Sequence, residues 1–232
     1  GDDARRAASP GAAALGLNFS AASPRCVPAS RAWAFAWGVR AAHGDAVAIV
    51  AVVDVAIAVD ALAAIDAAIA FDRVQLHPMS ADARMPDDAR RAALAPWSAR
   101  TIRVAKVPPT GLTSADAASL RALAQDAWGF VLDVQHPSGA GGTGQRWDAS
   151  SLRRFDPSLV DGAGRVLGRP TFVAGGIRPE NVAALIHTVR PWGIDLASGV
   201  ESSPGHHDPE RLARLFAAIA AVSASPGARG VA

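Results

Sequence analysis

An aspartate at the end of one apolar run and two glycine turns further along have the most chemistry to offer. In LDVQHPSGAGGTG (132–144), Asp133 follows the apolar Gly129–Leu132, where a strand would emerge, and a glycine-rich loop that includes Gly142 comes after it. A carboxyl group there can give or take a proton, although an aspartate after a strand is more commonly a loop cap or half of an ion pair. The segment TFVAGGIRPENVAALIHTVRPWGIDLASGVE (171–201) reads as strand, Gly-Gly turn, helix, second strand and Ser-Gly turn. Backbone N–H groups at Gly175, Gly176, Ser198 and Gly199 would grip an anion with no side-chain charge required.

Other polar residues are less telling alone. Arg25 carries a planar fork that meets two carboxylate oxygens at once, yet an isolated arginine is usually just solvated. Alternation puts Gln75 and His77 on one side of a strand and Val74 and Leu76 on the other. His77 has no second histidine at ligand spacing, and the adjacent His206-His207-Asp208 reads as a solvated, weakly basic rim, so no metal is expected. Cys26 reads as a buried packing thiol.

The elements that must position these groups alternate along the chain. Strands are expected at Ala12–Phe19, Ala46–Val53, Arg73–His77, Thr101–Val107, Gly129–Asp133, Thr171–Ala174 and Gly193–Ala197, with amphipathic stretches between them. Pro179 suits a first helical residue, with Val182, Leu185, Ile186 and Val189 following at helical spacing. Asp208-Pro209 opens a last helix striped by Leu212, Leu215, Phe216 and Ile219. Thr113 with Asp116 resembles a capping box. The tail from residue 223 is expected to fray.

Seven parallel strands suit either an open doubly wound sheet or a barrel short of one strand. No G-x-G-x-x-G follows the first strand, which weakens the dinucleotide reading. Glycine turns after the last two strands favour the barrel, whose active sites lie at the carboxyl ends of its strands. A barrel lacking a strand would leave two unpaired edges.

The 232 residues suit a single barrel domain, expected over 1–222 with a tail at 223–232. Net charge is +2 and the pI 9.4, with Lys106 the only lysine. The arginines are scattered among alanines, which argues against a nucleic-acid surface and leaves a mild attraction for a small anion. One cysteine allows no intramolecular disulfide, and no basic and apolar leader opens the chain, so a cytoplasmic home is the simplest fit. The apolar stretch 46–71 carries Asp54, Asp60 and Asp66, each costing roughly 2.5 to 3.5 kcal/mol at mid-bilayer. It is therefore expected to be a strand and a helix, not a membrane span.

Taken together, SPRCV (23–27), VQLHP (74–78), LDVQHPSGAGGTG, VAGGIRPENV and DLASGVE resemble phosphoribosylanthranilate isomerase of tryptophan biosynthesis. The resemblance implies a (βα)8 TIM barrel, an α/β fold, with the first strand absent from this chain and seven visible. It implies an Amadori rearrangement of N-(5-phosphoribosyl)anthranilate without a cofactor, by a monomer or homodimer. Asp133 would be the general acid, and the general base a cysteine on a strand preceding Gly1, whose absence would impair the chain. Arg25 would hold the anthranilate carboxylate, while Gln75, His77, Gly142 and Asp195 would contact substrate. Gly175, Gly176, Ser198 and Gly199 would hold its phosphate. Departures from the family's pattern are Cys26 for an aromatic, Pro78 for glycine, Arg178 for asparagine and Ala197 for serine; Arg103 stands where the family often has lysine. The competing readings are a non-catalytic phosphate-binding barrel and another phosphosugar barrel such as indole-3-glycerol phosphate synthase, for which Lys106 alone is thin support.

Overall fold

The computed structural model describes residues 11–78, 88–107, 112–113, 116–134 and 155–223. The chain divides into two compact units, Gly1–Ile102 and Arg103–Ala232.

In the first unit, β1 (Ala14–Asn18), β2 (Ala48–Asp54) and β3 (Arg73–His77) run parallel in chain order. Connections between them are α1 (Ala29–His43) and α2 (Val59–Ile69), as parallel neighbours require. β2 lies between the other two strands and is apolar along nearly its whole length, with Ile49, Ala51 and Val53 fully buried. Ala32, Ala36 and Val39 of α1 and Leu62 and Ile69 of α2 join Leu17, Val74, Leu76 and Phe71 in one core. Burying a leucine such as Leu62 contributes about 1.5 to 3 kcal/mol. The stretch 46–71 is thus a strand and a helix, and no helix among the described residues is long and apolar enough to cross a membrane. The unit continues through α3 (Asp88–Leu94) and a 3-10 turn at Ala95–Arg100.

Two carboxylates fasten this unit from inside. Asp72 accepts from Arg40 Nη2 and from the backbone N–H of Ile49, both at 2.6 Å. Asp66 accepts from Trp97 Nε1 at 2.9 Å and from Arg100 Nη2 at 2.6 Å.

The next strand, β4 (Thr101–Val107), spans the division between the units. The second unit holds α4 (Ala117–Ala124), β5 (Gly129–Val134), the short β6 (Arg165–Val166), β7 (Arg169–Ala174), α5 (Val182–Val189) and β8 (Gly193–Ile194). After these come the small antiparallel pair β9 (Glu201–Ser203) and β10 (His206–His207) and the last helix, α6 (Pro209–Ser223). β5, β7 and β8 are parallel neighbours in that order. Phe130, Leu132 and Val173 meet Val182, Leu185, Ile186 and Val189 of α5 and Leu212 and Leu215 of α6 in a second core. α5 buries the whole stripe its spacing announces, while α6 buries Leu212 and Leu215 and leaves Phe216 and Ile219 half-buried against the same core.

All seven expected strands are present, and the differences lie at their ends. β8 covers only two of its five expected residues, although Asp195 N–H still donates to Val173 O at 2.8 Å. β7 starts two residues early because Arg169 and Pro170 pair with β6 in a hairpin whose two-residue turn, Leu167-Gly168, has φ of 52° and 72°. That turn geometry ordinarily recruits Asn-Gly or Asp-Gly, so Leu-Gly hid it from the sequence reading. At Thr113 only half of the capping box forms: the Asp116 carboxylate accepts from Thr113 N–H at 2.8 Å, and α4 begins at Ala117 without a side-chain cap. Asp208 behaves as expected, accepting from Glu210 and Arg211 N–H at 3.0 Å each. Those bonds, the one from Arg211 first, hold its carboxyl below the usual carboxylate range. The tail expected to fray lies, beyond Ser223, outside the described residues.

Candidate active site

In the second unit the expected groups gather at the carboxyl ends of its strands. Asp133 is the next-to-last residue of β5, in register with Ala174 at the end of β7. Gly175 and Gly176 then turn the chain away with φ of 94° and 59°, values that glycine adopts without strain. A Cβ on residue 175 would stand 2.8 Å from Asp133 Oδ1, so the first glycine turn and the carboxyl group share one space.

The second turn meets the first. Ser198-Gly199-Val200 forms a single 3-10 turn after β8, with Gly199 buried and Ser198 exposed. The Ile177 carbonyl fills the place where a Cβ on residue 199 would be, so Gly199 lets the two turns touch. Among the described residues the N–H groups of Gly176, Ser198 and Gly199 donate to no protein acceptor. Donors left open at adjoining turns are what an oxyanion needs.

Two residues of this region were not anticipated. Lys106 Nζ donates to Asp133 Oδ2 at 2.6 Å from the neighbouring stretch of β4. Its signal in the sequence was its being the only lysine. Asn181 braces the first turn, its Oδ1 accepting from Arg178 N–H at 2.8 Å and its Nδ2 donating to Gly176 O at 3.0 Å. The turn Pro179–Asn181 leads into α5, and Val182 N–H donates to Arg178 O at 3.0 Å, so Pro179 precedes the assigned helix while occupying the entry its type predicts. Arg103 is buried in β4.

Arg25, Gln75 and His77 belong to the first unit. Asn18, Val52 and Gln75 form one row across β1, β2 and β3, and His77 pairs with Asp54 at the strand ends. Gln75 is buried; His77 and Arg25 are half-buried, the latter in a turn tied by Cys26 N–H to Ser23 O at 3.0 Å and Val27 N–H to Asn18 O at 2.7 Å. Cys26 itself is exposed, which corrects the expectation of a buried packing thiol. It sits in the turn between β1 and α1, on the solvent side of those hydrogen bonds. Gly142 and its loop lie outside the described residues.

No cluster of three metal-binding side chains occurs among the described residues. The histidine pair is less solvated than expected, because pairing of β10 with β9 leaves His206 exposed but His207 half-buried, with its Nδ1 out of contact with solvent.

Comparison with known proteins agrees with this arrangement over nearly the whole chain. The family model for N-(5'-phosphoribosyl)anthranilate (PRA) isomerase matches residues 1–218. Relatives so named from Halorhodospira halophila and Magnetococcus marinus are 34% and 32% identical over 94% of this chain, covering 91% and 89% of their own lengths. The crystal structure of phosphoribosyl anthranilate isomerase from Thermus thermophilus superposes with a TM-score of 0.68 at 25% identity, covering 95% of this chain and 94% of its own. The fold class is accordingly the α/β barrel that the strand order implied, and the reading as indole-3-glycerol phosphate synthase finds no support in these names. The chain belongs to the N-(5'-phosphoribosyl)anthranilate isomerase family.

Proposed function

We propose that Asp133 is the general acid of the isomerisation and that the turns at Gly175-Gly176 and Ser198-Gly199 hold the substrate phosphate. The observation supporting this most directly is the contact between them: Asp133 Oδ1 lies where a Cβ of Gly175 would crowd it. A ribose 5-phosphate gripped by backbone N–H groups at those turns brings its ring within reach of that oxygen. Arg25 takes the anthranilate carboxylate, and Gln75, His77, Gly142 and Asp195 contact the substrate elsewhere.

The chemistry asked of the protein is proton movement. Asp133 gives a proton to the furanose ring oxygen as the bond from that oxygen to C1′ breaks, and the nitrogen lone pair forms the C=N bond of a Schiff base. A base then removes the C2′ proton, the electrons of that C–H bond pass to form the enamine, and ketonisation yields the 1-amino-ketose. No electrons leave or enter, so no redox cofactor is required. A single-domain barrel over 1–222, working in the cytoplasm as a monomer or homodimer on a small phosphosugar, completes the reading.

The test is the steady-state isomerase activity of the protein, followed by loss of substrate fluorescence. Asp133→Asn, which keeps the shape but supplies no acid, is expected to lower kcat by about 10²- to 10⁴-fold. Activity within a few-fold of the parent would refute the acid assignment.

A further inference from the structure

We propose that Lys106 is a positioning residue for this reaction, holding one oxygen of Asp133 so that the other is presented to the sugar. The inference rests on the reading of Asp133 as the acid. Lys106 Nζ donates to Oδ2 at 2.6 Å, with the two side chains 34% and 17% exposed. Oδ1 lies on the other side, 2.8 Å from the Cβ position of Gly175, and accepts no hydrogen bond among the described residues. The two oxygens therefore have different tasks.

A carboxyl group turns about a broad two-fold torsion. One charge-assisted bond on one oxygen removes that freedom, and placing both partners on adjoining strands gives the restraint a rigid base.

Composition makes the same point independently. Of 23 basic residues other than histidine, every one except Lys106 is arginine. An arginine fork facing a carboxylate tends to take both oxygens, whereas an ammonium is a compact point donor that takes one and leaves one. The single lysine in the chain stands where that difference matters. Stability does not account for it, since a partly exposed ion pair is worth about 0 to 1 kcal/mol.

The test compares kcat, KM and inhibition by inorganic phosphate in Lys106→Met, Lys106→Arg and Asp133→Asn, with the melting temperature of each. Lys106→Met is expected to lose about 10- to 100-fold in kcat, with KM, phosphate inhibition and melting temperature close to the parent's. Lys106→Arg should keep the charge and still not recover kcat. Should Lys106→Met fail to fold, Lys106→Gln reads the same quantity. A Lys106→Met or Lys106→Gln enzyme with parental kcat beside an inactive Asp133→Asn would overturn the positioning role and leave the acid in place. Full activity in Lys106→Arg would also overturn it, since charge alone would then suffice. An active Asp133→Asn would end both assignments.

Discussion

The carbonyl oxygen of Ile177 occupies the space that a Cβ on residue 199 would need. Two glycine turns that look independent in the sequence are thereby one object, since the second can lie against the first only while residue 199 lacks a side chain. Gly199→Ala must push them apart or distort the 3-10 turn at Ser198–Val200. Overpacking of this kind costs about 1 to 3 kcal/mol. The expected result is KM for the phosphosugar raised at least about 10-fold, the equivalent of about 1.4 kcal/mol of binding. Inorganic phosphate should weaken as an inhibitor in parallel. Unchanged KM with unchanged phosphate inhibition would mean that this turn does not bind phosphate.

A pH-dependent contribution to stability resides far along the chain from those turns, at Asp66. Burial alone would raise its pKa, but hydrogen bonds from Arg100 and Trp97 and the charge of Arg100 together outweigh that and leave it lowered. A carboxylate depressed in the folded state adds stability that is present above its unfolded pKa, near 4, and disappears as pH falls through the folded value. Asp66→Asn should therefore be less stable than the parent at pH 7, with the gap narrowing below about pH 4. Urea unfolding at pH 7 and at pH 3 checks this, and an equal gap at both would dismiss the linkage.

What could be read from residues alone was what depends on local pattern. β3 and β4 begin and end where apolar runs and alternation place them, and the stripe Val182, Leu185, Ile186, Val189 is buried as its spacing requires. Asp133 and the two glycine turns were visible because strand ends and glycine pairs are short-range signals. The Lys106–Asp133 pair was not, since it joins residues 27 apart and depends on how two strands stand side by side. Exposure of Cys26 was misjudged for a related reason. Whether a loop residue is covered is decided by neighbours distant in sequence, here by the turn that Ser23 and Asn18 fasten.

The hairpin at residues 165–170 offers a stabilising change. Leu167 has a φ of 52° and is 42% exposed, so it bears the cost of a left-handed conformation for only partial burial in return. That conformation costs an ordinary L-residue roughly 1 to 2 kcal/mol, and asparagine tolerates it better. Leu167→Asn should raise the unfolding free energy by about 0.5 to 1 kcal/mol, measurable as a higher urea midpoint with an unchanged slope. A lower midpoint would show that Leu167 contributes packing that outweighs its strain.

Asn181 supplies the most direct check on how the first turn is kept in shape. Its amide joins Arg178 N–H to Gly176 O, so it clamps the segment in which Gly176 offers an open N–H. Asn181→Ala removes both bonds and leaves the Arg178 N–H and the Gly176 carbonyl to find water. Each lost bond costs about 0.5 to 1.5 kcal/mol, and the turn gains freedom that the phosphate must remove on binding. Asn181→Asp separates the two bonds, because a carboxylate still accepts from Arg178 N–H but cannot donate to Gly176 O. It also brings a negative charge to a turn proposed to bind a dianion. Asn181→Ala is therefore expected to raise KM several-fold with little change in kcat, and Asn181→Asp to raise it further despite retaining one of the bonds. If the aspartate variant bound substrate as well as the parent, no phosphate could be resting on the Gly176 N–H.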